Sequence, residues 1–168
     1  MDIAALAARV QQLEDDRAIR DLKARYLRAC DLKDPEAVRD TLSPGGAVIA
    51  YDGFPAFANR DDFVAIYAAM GCQPTIYDIH HGANGIIGFD GADRATGRWS
   101  LYFHHIDLTA RTLTQRGVEY YDVYVRSGGR WWIAETRTRR TSCLVERVSD
   151  EGSRTLVAMG EPPAVFAG

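Results

Sequence analysis

At residue 75 the chain changes its period. Before that point apolar residues recur at three- and four-residue intervals; after it they alternate, in long stretches cut by short glycine turns. Ile3, Leu6, Val10 and Leu13 form one stripe at helical spacing, and Ile19, Leu22, Tyr26 and Cys30 continue it after a phase shift at Glu14-Asp15-Asp16. Asp34 followed by Pro35 predicts a new helix start, which Pro44-Gly45-Gly46 stops. AVIAY (47–51) predicts a short strand, and Asn59 or Asp61 caps a helix that turns Phe63, Ile66 and Tyr67 to the core and ends at Gly71. Then IHHGANGIIGF, RATGRWSLYFHHIDLTAR, GVEYYDVYVR and RWWIAETRTRRTSCLVER, with the turns DGAD and SGG, predict an antiparallel meander. Helices first and sheet afterwards is an α+β order. It predicts N-terminal helices packed on a strongly curved, mostly antiparallel sheet that encloses a pocket. With 168 residues, one core suffices: a single domain over 1–150, then a C-terminal tail over 151–168 that is extended or docked on a neighbouring subunit.

Composition narrows the partners. A net charge of −3 gives no electrostatic footprint for nucleic acid. Asp2 stands where a signal peptide wants positive charge, and no apolar run reaches the length of a membrane span. Cys30, Cys72 and Cys143 are widely separated, without metal-type clustering, as in reduced thiols packed as small hydrophobes. The expected setting is the cytoplasm, and the expected partner a small hydrophobic molecule, with neither nucleic acid nor membrane.

The four histidines come as two adjacent pairs, His80-His81 and His104-His105. Successive strand residues face opposite sides, so each pair sends one ring to each face. His80 shares its face with Gly82, Asn84 and Ile86. Gly82 leaves room there for a ligand or a close backbone, which favours that face as the pocket wall. His105 shares its face with Trp99, Leu101, Phe103 and Asp107, an apolar set that marks it as inward. In ETRTRR, Arg137 and Arg139 lie on one face, and Thr136, Thr138 and Arg140 on the other.

The stretches LKARYLRACDLKDPEAVRDTLSP (22–44), IHHGAN (79–84), RATGRWSL (94–101) and YYDVYVRSGGRWWIAETRTRR (120–140) resemble the SnoaL-like branch of the NTF2-like superfamily. The nearest group is the bile acid 7α-dehydratases; scytalone dehydratases and hexachlorocyclohexane dehydrochlorinases are more distant. The resemblance spans roughly residues 10–145. It implies an α+β cone, elimination of water or HCl without a metal or organic cofactor, and a homo-oligomer, a trimer before a dimer. Carried over, the catalytic histidine falls on His80 with Asn84 four residues on. Its carboxylate partner falls on Asp31, the tyrosine on Tyr26 and a late arginine on Arg140. One position departs: where the bile acid enzymes have a second aspartate, this chain has Phe103.

The residues themselves allow a matching chemistry. A half-buried Asp31 at the end of the first long helix needs a donor. On one nitrogen of His80 it would fix the tautomer and leave the other as a base, worth about 10²–10⁴-fold in rate. The plain alternatives are that Asp31 caps the next helix or pairs with Lys33. Tyr26 polarises a carbonyl or packs in the core. Arg140 holds a carboxylate or enolate. Phe54, Phe57, Tyr67, Met70, Trp99, Phe103, Tyr121 and Trp131 or Trp132 are the expected aromatic and apolar walls, suited to a flat ring of steroid or polyketide type. Three functions follow: a cofactor-free lyase or isomerase of the dehydratase kind; a metal enzyme using His80, His105 and Asp31; or a binding or scaffold protein.

Overall fold

The computed structural model describes residues 2–160. Helix α1 runs Ile3–Asp31, its start capped by Asp2, whose carboxylate accepts from the Ala4 N–H. The phase shift in its sequence marks a real boundary. Ile3 and Leu13 are 83% and 71% exposed, whereas Ile19, Leu22, Tyr26 and Cys30 are buried. The first turns therefore lie off the core with their apolar stripe in solvent. Asp31 is the last helical residue; Leu32 caps the end, and Lys33 turns the chain at φ 57°. Asp34 then accepts from the Ala37 N–H and opens the short helix α2 (Pro35–Arg39). Of the two candidate caps for α3 (Arg60–Gly71), Asn59 takes the role, accepting from the Asp62 N–H.

Six strands follow this helical layer or thread through it: β1 (Val48–Ala50), β2 (Ile76–Phe89), β3 (Arg94–Asp107), β4 (Thr112–Ser127), β5 (Arg130–Ser149) and β6 (Gly152–Gly160). They form one sheet in the order β1-β5-β4-β3-β2, with β6 also on β5. Of these six strands, only β1 pairs in parallel with its neighbour. The tail predicted over 151–168 is corrected in part: residues 152–160 pair antiparallel with β5, and residues 161–168 lie outside the described residues. Bulges interrupt the register between Ala83 and Ile86, between Gly117 and Val118, and between Val123 and Tyr124. Each inserts local twist, and together they curve the sheet around the helices.

The core lies between α1 and the inner face of β3, β4 and β5. Ala95, Trp99, Leu101, Tyr120, Tyr124, Trp131 and Ile133 alternate inward and meet Ile19, Leu22 and Tyr26. Burying each such leucine or isoleucine contributes about 1.5–3 kcal/mol. At Gly82 helix and sheet approach closely: a Cβ there would stand 2.5 Å from Leu27 Cδ1. The space beside His80 is thus filled by α1 rather than by a ligand. That close approach brings the end of α1 down onto β2. Among the described residues no helix is long and apolar enough to cross a membrane.

Candidate active site

Past the packed core, the sheet and the helices diverge around a cavity of about 430 Å³. Its size is within the usual span for small-molecule sites, about 300–1,000 Å³. Two inner rows of the sheet supply its chemistry. In the first, His80 on β2 stands opposite Phe103 on β3, and Phe103 opposite Arg116 on β4. In the second, Asp78 stands opposite His105.

Asp31 and His80 meet at this wall. Asp31 Oδ1 accepts the His80 backbone N–H at 2.9 Å and lies 2.7 Å from His80 Nδ1. Their side chains are 23% and 15% exposed, so the pair is shielded. With the carboxylate as acceptor, Nδ1 carries the hydrogen, and in the neutral ring Nε2 is the nitrogen with the lone pair. Among the described residues nothing hydrogen-bonds to Nε2. Neither plain alternative for Asp31 holds, because Asp34 caps α2 and Lys33 pairs with Asp78.

A second pair lies beside the first. His105 Nδ1 is 2.6 Å from Asp78 Oδ1, while Lys33 Nζ bonds the other oxygen of the same carboxylate. Burial acts to raise the Asp78 pKa, but hydrogen bonds from His105 and Lys33 outweigh it and hold the carboxyl below its ordinary value. Sequence reasoning missed Asp78 and Lys33. The signal for Asp78 was available, because it shares strand parity with His80.

Deep in the cavity the Tyr26 hydroxyl is hydrogen-bonded to that of Tyr51. Burial pushes both phenols above their ordinary pKa, so they stay protonated and serve as donors. Tyr51 was also missed, although it alternates with Ala47 and Ile49 on a strand whose inner face is buried. Cys30 lines the same space, its thiol pushed up to about 12 by burial and therefore inert as a nucleophile. The Tyr67 hydroxyl donates to the Cys30 carbonyl at 2.9 Å, fixing α3 against the end of α1.

Phe54, Phe57, Tyr67, Met70, Phe103, His105 and Arg140 line the cavity as the sequence predicts. Arg140 Nε lies 3.6 Å from Asp52 Oδ2. Thr138 shares its side of β5, while Arg137 and Arg139 pair with Glu135 and Glu119 outside.

Four predictions are corrected. Asn84 is exposed and bonds Ser100 Oγ at 3.3 Å, because the bulge turns it out at φ 54° and breaks the parity with His80. Trp99 faces inward but packs in the core, its indole N–H donating to the Tyr124 hydroxyl at 2.9 Å. Tyr121 lies on the outer face, donating to Glu119 beneath Arg98. Neither Trp131 nor Trp132 reaches the cavity: the first donates to Asp15 and the second to the Ser127 carbonyl. Nor do His80, His105 and Asp31 converge on one point, since each imidazole Nδ1 is taken by its own carboxylate. Among the described residues no three His, Cys, Asp or Glu side chains are arranged to hold a metal ion.

Comparison with known proteins agrees with this architecture. A candidate scytalone dehydratase from Novosphingobium aromaticivorans superposes with a TM-score of 0.73 at 20% identity, over 91% of this chain and 98% of that one. The hexachlorocyclohexane dehydrochlorinase LinA-type3 from Novosphingobium barchaimii gives 0.70 at 17% identity, over 92% and 98%. An NTF2-like protein with a cystatin-like fold, also from N. aromaticivorans, gives 0.68 at 23%, over 82% and 88%. Likeness at these identities carries the fold. The SnoaL-like domain family matches residues 11–137. With the match over most of its length, a curved sheet wrapped on an N-terminal helix and a cavity between them, the chain belongs to the SnoaL-like domain family.

Proposed function

We propose that the protein is a lyase or isomerase that works by general acid–base chemistry on a small hydrophobic ring substrate, without a metal or organic cofactor. The observation that carries this is the shielded contact between Asp31 and His80 Nδ1 at 2.7 Å, with Nε2 unengaged on the cavity wall. In this reading Nε2 removes a proton from a carbon next to a carbonyl or leaving group. The imidazolium that forms is stabilised by Asp31. In the hydrogen-bonded Tyr26–Tyr51 pair, the hydroxyl whose proton is not given to the other donates to an oxygen that gains negative charge. His105, oriented by Asp78, in its imidazolium form donates to the departing group or supplies the proton to a second carbon. Elimination and double-bond migration differ only in where that second proton goes. The SnoaL-like family, with a dehydrochlorinase and a candidate dehydratase among the structural neighbours, supports this class of reaction.

The test uses cyclic β-hydroxyketones and chlorinated cycloalkanes, with formation of the unsaturated product followed by absorbance or mass spectrometry. His80→Ala and Asp31→Asn are expected to lower turnover by about 10²–10⁴-fold while leaving the thermal midpoint nearly unchanged. Turnover that survives both substitutions would sink the proposal, as would two variants that lose only stability.

A further inference from the structure

Arg116 is a half-buried arginine with no acid beside it. It lies in the inner row of the sheet, opposite Phe103, and lines the cavity. Its Nε is buried without a hydrogen-bond partner. Among the described residues it has no acidic partner, and its one contact of note is with the Phe103 ring, at 6.0 Å from guanidinium carbon to centroid. That distance is at the outer limit of a cation–π interaction and satisfies none of the five N–H donors. The other arginine in the cavity, Arg140, already has Asp52 beside it. Asp107 also lines the cavity, but its Oδ1 is occupied by the N–H groups of Thr109 and Ala110 at 2.8 and 2.9 Å. A buried N–H left without an acceptor is costly for a protein to hold. The cost is relieved when an anion arrives.

We propose that Arg116 is the anchor for an anionic substrate, a carboxylate carried on a flat apolar ring. Arg116 and His80 stand two strands apart in one row, about 10 Å along the sheet, with Phe103 between them. The Phe103 ring lies 4.7 Å from the imidazole and forms the apolar floor of that interval. A ring resting over Phe103 puts its carboxylate on the guanidinium fork and a ring carbon within reach of His80 Nε2. Arg140, opposite Val118 in the next row, flanks the same anion. This inference rests on the cavity being the substrate site, and not on the His80 chemistry.

Isothermal titration calorimetry of the full chain at neutral pH tests it, with a naphthalene carboxylate and its neutral carboxamide as probes. The acid is expected to bind at least tenfold more tightly than the amide. Arg116→Gln brings the two within twofold by weakening the acid alone, and its thermal midpoint holds or rises because an unpaired charge has been removed. His80→Ala keeps the full preference, so failure of the acid–base mechanism and failure of the anchor are told apart. The wild-type comparison needs no variant to fold. Equal affinity for acid and amide, no binding of either at millimolar concentration, or an unchanged preference in Arg116→Gln overturns the proposal.

Discussion

Asp78 joins three elements through one carboxylate: Lys33 from the end of α1, His105 from β3 and its own strand β2. Its side chain is only 9% exposed. Burial opposes ionisation, yet hydrogen bonds from His105 and Lys33 leave the native pKa below the unfolded value of about 3.9. A depressed carboxylate contributes stability that is fully present above the unfolded pKa. That contribution is lost as pH falls from there through the native value. Urea unfolding between pH 7 and pH 2 checks this. Asp78→Asn should cost on the order of 2 kcal/mol at neutral pH, because it leaves the Lys33 ammonium half-buried without its partner. It should also flatten the acid limb of the stability profile. An acid limb identical to that of the wild type would mean that other carboxylates account for it.

At the scale of elements, the bulge in β2 decides which side chains reach the cavity. Before it the strand alternates as expected, with Asp78 and His80 inward. After it the phase is reversed, and Gly85 rather than Asn84 faces the core. An Asn-Gly pair inside a strand is a bulge signal in the sequence, yet only the register shows on which side the extra residue falls. Gly85 has a strict reason to be glycine: a Cβ there would stand 2.2 Å from Trp99 Cζ3. The indole is held by Tyr124 and cannot withdraw freely. Gly85→Ala should therefore destabilise the fold by about 1–3 kcal/mol, read as a lower denaturation midpoint at unchanged slope. Full stability in that variant would mean that the core at Trp99 is looser than its packing indicates. The end of α1 is a second such case. The Asp31–His80 contact follows from a helix that stops at Asp31 and from a glycine, Gly82, that lets it come close.

Across the whole molecule, helix and sheet are linked by a buried charge pair. Lys23 Nζ on α1 lies 2.8 Å from Asp122 Oδ2 on β4, and the two side chains are 2% and 0% exposed. The ammonium also stands 3.5 Å from the Tyr120 ring centroid, while the Tyr124 hydroxyl donates to Asp122. Burial lowers the Lys23 pKa against the attraction of Asp122. Removing one partner leaves a stranded charge in the core, so Lys23→Met should cost about 3–5 kcal/mol. The double variant Lys23→Met with Asp122→Leu should recover more than half of that loss in the same unfolding assay. A double variant no more stable than the single would locate the cost in packing instead of charge.

The amino-acid sequence alone determined the period of each segment, and with it the order of helices and strands, the inward side of β3 and the faces of the ETRTRR strand. These are local properties, set by which neighbouring side chains must avoid water together. Tertiary structure alone decided which polar groups meet. Asp31 with His80, Asp78 with Lys33 and His105, and Tyr26 with Tyr51 are each partners distant in the chain. Their meeting depends on where α1 ends, how closely it approaches at Gly82 and how the bulges curve the sheet. Arg116 belongs with these: it reads as one more strand arginine until the fold closes a cavity over it and gives it no acid to bind.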